Sequence, residues 1–241
     1  MSSDKLRKGE INASDFGKIR DAAVEIGESP LYIDATGGLS ISKLAARARR
    51  LKRMEHGLDL IIVDYLQLMS SGKKVESRQQ EVSEFSRQLK LLAKELEIPL
   101  VAMSQLNRGP EQRADKRPML SDLRESGSIE QDADVVMFVY RDEYYLAQRA
   151  PKQLNFDNSE KYAEAMDKWQ QDMERAHNKA ELIIAKQRHG PTGTIPLFFE
   201  GEFTRFGDLE QTRVSVAAPR LPAVTLRDSI SPSSRSSAGT S

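Results

Sequence analysis

The chain has 241 residues with 36 basic and 36 acidic side chains, so any nucleic-acid contact has to come from local patches rather than an overall field. There is no cysteine, which excludes disulfides and thiolate metal sites, and three scattered histidines (His56, His177, His189) do not make a zinc set. No apolar stretch approaches the roughly 20 residues needed to cross a bilayer, and the N-terminus lacks the apolar core of a secretion signal, which fits a cytoplasmic protein.

In chain order, Asn12-Ala13-Ser14-Asp15 reads as a helix start, followed by an apolar stripe of Phe16, Ile19, Ala23 and Ile26. Residues 31–34 read as a short strand broken by Gly37-Gly38. Ser40 or Ser42 caps the next helix, with Leu44, Ala48 and Leu51 on one face. Its other face carries Arg47, Arg49, Arg50, Lys52 and Arg53, a solvated face or a DNA contact. Residues 58–64 are an apolar strand, and residues 70–75 a polar loop.

The strongest helical pattern follows at 76–97. Val82, Phe85, Leu89, Leu92 and Leu96 recur at three- and four-residue spacing and lay one stripe against a sheet. Ile98-Pro99 ends it and begins a second apolar strand that stops at Ser104-Gln105. Residues 107–118 read as a mobile basic loop, 120–131 as a helix and 133–140 as a third buried strand. A charged insertion at 146–178 is helical around 160–177. Two last strands, 180–186 and 194–199, flank the turn at 189–193 and read as a hairpin. Apolar periodicity ends near 214, and 214–241 reads as a disordered tail.

The two strands at 58–64 and 98–104 have the same character. Each is an apolar run that stops at a polar residue, as neighbouring strands of a buried parallel sheet do. Ligands of open α/β sheets bind at the carboxyl ends of such strands. Asp64 at one end is suited to a nucleotide-bound metal ion or to a turn cap. Gln105 at the other is suited to sensing a γ-phosphate or to satisfying loop backbone. Lys186 and Arg188 lie on one side of an extended chain and reach either an anion in a neighbouring subunit or solvent. Arg124 is a phosphate-contact candidate, and Gly127 allows close backbone approach; an ordinary surface helix is the alternative. No G-x-x-x-x-G-K-[ST] phosphate loop occurs in the 241 residues.

Several longer motifs together resemble the DnaB-type replicative DNA helicase. They are Asp64-Tyr65-Leu66-Gln67-Leu68-Met69, Ser104-Gln105-Leu106-Asn107-Arg108 and the run from Asp122 to Asp134. Arg141-Asp142-Glu143-Tyr144-Tyr145, the segment from Lys186 to Gly193, and Glu202-Phe203-Thr204-Arg205-Phe206 continue the match in order. The resemblance implies an α/β fold: a RecA-like parallel-sheet core over residues 1–213, incomplete, lacking the phosphate-loop strand and helix. It implies an ATP- and Mg²⁺-dependent enzyme that encircles single-stranded DNA as a homohexamer and unwinds it 5′ to 3′, with primase and a helicase loader as partners of the intact protein.

The same resemblance makes Asp64 the metal acid and Gln105 the γ-phosphate sensor. Lys186 and Arg188 become residues acting on the neighbour's ATP, and Arg124, Glu125 and Gly127 the DNA-contacting segment. Met1 to Ile11 resembles a family segment downstream of the phosphate loop, so the chain is expected to lack that loop, the catalytic glutamate after it and the family's N-terminal domain. Activity of the chain alone is therefore expected to be negligible. A non-catalytic piece that complements another subunit, and a recombinase-type RecA-fold ATPase, are the competing readings.

Overall fold

The computed structural model describes residues 2–71 and 77–209, with the side chains of Ser3 and of residues 124–127 excepted; the 214–241 tail expected from sequence lies outside the described residues. Helices α1 (Ser3–Lys8) and α2 (Ala13–Glu28) open the chain. Helix α2 starts as read from sequence: Asn12 Oδ1 accepts from Asp15 N–H, and the Asp15 carboxylate accepts from Asn12 N–H, a reciprocal capping box. None of its residues is buried. Residues 31–34 form no strand: no other strand runs beside them among the described residues, and Ile33 is 80% exposed. A run of β-formers without a pairing edge stays irregular.

Helix α3 (Ile41–Lys52) is capped by Ser40 and buries Ile41, Ala45 and Ala48. Strand β1 (Ile61–Val63), a short 3₁₀ turn (Leu66–Leu68), α4 (Arg78–Leu96) and β2 (Leu100–Ala102) follow. All five residues of the expected α4 stripe are buried. Val82, Phe85 and Leu89 join Leu66, Leu123, Ile129 and Phe138 in one core cluster. Leu92 and Leu96 join Ala45, Ala48, Ile61 and Ile98 in another. One helix face therefore holds both clusters. Fully burying a side chain of this size contributes about 1.5–3 kcal/mol.

Strands β1 and β2 pair in parallel, with Ile61 opposite Leu100 and Val63 opposite Ala102. Then come α5 (Gly109–Gln112), a 3₁₀ segment (Leu120–Ser126), α6 (Gly127–Asp132), β3 (Val135–Tyr140), α7 (Asp142–Gln148), a 3₁₀ turn (Gln153–Asn155), α8 (Ser159–Ala176), β4 (Lys179–Gln187), β5 (Gly193–Glu200) and β6 (Arg205–Asp208).

The sheet around β3 differs from the reading of a third buried strand. Strands β3 to β6 form an antiparallel sheet in chain order, and β3 alternates exposed and buried residues. Val136, Phe138 and Tyr140 face the core, while Val135, Met137 and Val139 are 44–59% exposed. An antiparallel strand can keep one face open in this way. The β4–β5 hairpin is as expected, with Leu182 opposite Ile195.

Candidate nucleotide and nucleic-acid site

The parallel β1–β2 pair fixes the first part of the site. Met103 N–H donates to Val63 O (2.9 Å) and Leu66 N–H to Met103 O (2.9 Å), so the two chains stay in step past their strand ends. Leu66, 2% exposed, is plugged into the core directly behind Asp64 and Tyr65, which are joined by a cis peptide bond. Asp64 is exposed and makes no hydrogen bond or ion pair among the described residues. Gln105 emerges beside it, also exposed.

The two ends are tied by Gln67, which lies within a sequence motif but is not among the site residues expected from it. Its Nε2 donates to Ser104 Oγ (3.2 Å) and Gln105 O (3.5 Å), and its Oε1 accepts from Gln105 N–H (3.2 Å). Arg78 Nη2 donates to the Gln67 and Met69 carbonyls (2.6 and 3.1 Å) and holds the turn from outside. Gln105 thus has a fixed backbone, and its side chain makes no hydrogen bond among the described residues. The signal that marks Gln67 is an amide as far past one strand end as a neighbour can reach from the other.

Lys186 and Arg188 lie at the far end of β4. Lys186 Nζ donates to the carbonyls of Glu130 (2.5 Å) and Ala133 (2.8 Å), capping the end of α6. Arg188 Nε lies 3.3 Å from Asp134 Oδ1. Lys90 shares that carboxylate at 2.8 Å, and its hydrogen bond, with the nearby cations, holds the Asp134 carboxyl below its ordinary range.

The expected DNA segment spans the 3₁₀ stretch Leu120–Ser126 and the start of α6. The side chains of Arg124 and Glu125 and the surroundings of Gly127 lie outside the described residues. Their flanks are fixed by the buried Leu123, Ile129 and Asp122. Asp122, 2% exposed, accepts two hydrogen bonds from Arg113 (2.7 and 2.5 Å) and one from Met119 N–H (2.8 Å). The Arg113 bonds hold its carboxyl below the usual carboxylate range.

The loop read as mobile and basic is instead tied down by its own cations. Arg113 is spent on Asp122, and Arg117 makes a two-pronged pair with Glu181 while its guanidinium lies over the Tyr140 ring. Tyr140 Oη lies 2.8 Å from Asp115 O and 2.9 Å from Asp142 Oδ1, its one proton shared between the two acceptors, and burial, reinforced by the Asp142 carboxylate, pushes its pKa up. On α3, Arg49 is likewise paired with Glu95 (2.6 and 2.8 Å).

No cluster of three or more metal-ligating side chains occurs among the described residues. Mg²⁺ keeps several waters and takes one or two carboxylates plus substrate phosphates, so a single free carboxylate at a strand end fits it.

A parallel strand pair packed on its inner face by α3 and α4, with Ile62 and Val101 of the outer face exposed and an acid and an amide at its carboxyl edge, is consistent with a RecA-like ATPase fold. Two solved structures share it. One, described as an ATPase domain, aligns at TM-score 0.69 and 37% identity, covering 87% of this chain and 66% of that one. A DnaB-like replicative helicase, whose structure was described with its primase interactions, aligns at TM-score 0.68 and 37% identity, covering 87% of this chain and 46% of that one. The DnaB-like helicase C terminal domain matches residues 1–208, and the chain belongs to that family.

Among curated relatives, replicative DNA helicase DnaB of Rickettsia bellii is 50% identical over 210 residues, 87% of this chain and 41% of the relative. Replicative DNA helicase DnaC of Bacillus subtilis is 47% identical over 212 residues, 88% and 41% respectively. The chain therefore spans about two fifths of the length of the curated relatives it matches.

Proposed function

We propose that this chain supplies one part of an ATP-driven replicative DNA helicase: the metal acid, the phosphate sensor, the trans-acting cations and the DNA segment of a hexameric ring. The observation that carries this reading is the parallel register of β1 and β2, which brings Asp64 and Gln105 to one carboxyl edge with Gln67 between them. When bound, Mg²⁺ neutralises charge on the nucleotide phosphates, and Asp64 would hold it there. Gln105, its backbone clamped, directs a neutral amide that orients a water or reports a terminal phosphate. Lys186 and Arg188 act on the nucleotide of the next subunit, as an arginine finger does. Arg124, Glu125 and Gly127 follow the DNA backbone. Single-stranded DNA, a homohexameric ring, primase and a loader are the partners of this reading, and the cytoplasm its place.

The test is unwinding by a ring in which the chain is joined to an upstream segment carrying a phosphate loop. The wild-type ring displaces a strand in an ATP-dependent manner, and Asp64→Ala, Gln105→Ala and Arg188→Ala each lower displacement and hydrolysis together. Hydrolysis without displacement in the wild-type ring would favour the recombinase-type alternative. Absence of both, with the ring assembled, would leave an interaction piece.

A further inference from the structure

The two cations assigned to the neighbouring nucleotide also have a seat within their own chain. Lys186 Nζ sits on the Glu130 and Ala133 carbonyls. Arg188 meets Asp134 twice: its N–H donates to the Asp134 carbonyl (2.9 Å), and its Nε lies 3.3 Å from the carboxylate. Lys90 of α4 ties the same turn, donating to Asp132 O (2.5 Å) and Asp134 Oδ1 (2.8 Å). Three cations thus converge on residues 130–134. The helix that ends there, α6, is only six residues long and begins at Gly127, inside the proposed DNA segment. At 1.5 Å per residue its ends are about 9 Å apart, so one short helix links the proposed DNA segment to the seat.

The contacts differ in strength. The Lys186 ammonium is half-buried on two carbonyls, whereas the Arg188–Asp134 pair is 47% and 59% exposed and uses one nitrogen. Such an exposed pair shifts an equilibrium by no more than about fivefold. A phosphate offers more charge and two-pronged geometry, and would draw Arg188 away once within reach.

We propose that Asp134 is a positioning residue that forms, with residues 130–133, a cis seat for Arg188, holding it back from the neighbouring nucleotide until DNA moves α6. This rests on the trans role of Arg188 given above, and the experiment separates the two.

The first arm uses the chain itself and phenylglyoxal, an arginine-specific reagent, with labelling read by mass spectrometry against the exposed Arg108. Asp134→Asn is expected to raise Arg188 labelling about two- to fivefold, and Lys90→Met, which leaves the carboxylate to Arg188 alone, to lower it. Unchanged Arg188 labelling in both variants would overturn the seat. The second arm uses the ring described above. Asp134→Asn raises DNA-free ATP hydrolysis about two- to fivefold and changes the rate at saturating single-stranded DNA by less than twofold; Asp134→Glu restores the low DNA-free rate. A DNA-free rate that is unchanged or lower in a folded Asp134→Asn ring would overturn the proposal, because loss of a merely structural contact lowers both rates. Arg188→Ala in the same ring is the control on the trans role: lost hydrolysis upholds it, and retained hydrolysis overturns it and the seat's function with it.

Discussion

Asp64, just past the end of β1, and Asp122, inside the 3₁₀ segment Leu120–Ser126, have opposite surroundings. Asp122 is 2% exposed and accepts hydrogen bonds from Arg113 and Met119. Asp64 is exposed and without a partner among the described residues. A buried carboxylate is retained only when its charge is answered from within, so Asp122 belongs to the fold. A carboxylate held at a rigid strand end with nothing answering it is available to a ligand. The same contrast separates the cations: Arg113 and Arg117 are consumed by Asp122 and Glu181, whereas the Arg188 side chain keeps a single exposed contact.

Removing each acid tests the contrast most strongly. Asp122→Ala removes the acceptor of two Arg113 bonds and of Met119 N–H and is expected to cost about 2 kcal/mol in a urea melt, since the Arg113 left behind still reaches solvent. Asp64→Ala is expected to do the reverse: stability changes by less than about 0.5 kcal/mol, while hydrolysis by the ring falls at least about a hundredfold. Equal effects on stability would erase the distinction.

A smaller change probes how tightly the Asp122 side is closed. A Cβ on Gly109 would lie 2.7 Å from Asp122 Oδ1 and 2.8 Å from Asn107 Oδ1. Gly109→Ala is therefore expected to cost about 2 kcal/mol by thermal melt, because both oxygens are already committed to Arg113 and Gly109 N–H. The pH dependence has a definite sign. The Asp122 carboxyl is depressed in the folded chain, so its stabilisation is complete above the unfolded value of about 3.9 and is lost as pH falls through the lower folded value. Asp122→Asn should flatten that part of an acid stability curve. Gln67→Ala is expected to cost about 1 kcal/mol in stability, with a loss of hydrolysis in the ring larger than that stability change explains, because Gln105 loses its clamp.

Much of this was legible in the chain because it follows from local periodicity. The α4 stripe is a 3.6-residue pattern, and each of its five members is buried. The strand ends at Asp64 and Ser104-Gln105 are marked by apolar runs that stop abruptly, and their parallel pairing follows from the helix between them. What could not be read depends on contacts between distant segments. Strand β6 has all four residues exposed and so carries no alternation to detect. Residues 31–34 have strand-forming composition but no pairing edge among the described residues. The pairing of Arg113 with Asp122, nine residues on, and of Arg117 with Glu181, 64 residues on, turned an apparently mobile basic loop into an anchored one. The cis seat of Arg188 is equally invisible in sequence, since residue 134 meets residue 188 only through the β3–β4 pairing.

The most direct measurement is ATP hydrolysis by the chain alone, then joined to an upstream segment that carries a phosphate loop, each with and without Asp64→Ala. No turnover is expected from the chain alone, turnover appears on joining, and it is lost in the Asp64→Ala ring. Turnover by the chain alone, or turnover of the joined protein that survives Asp64→Ala, would contradict that expectation.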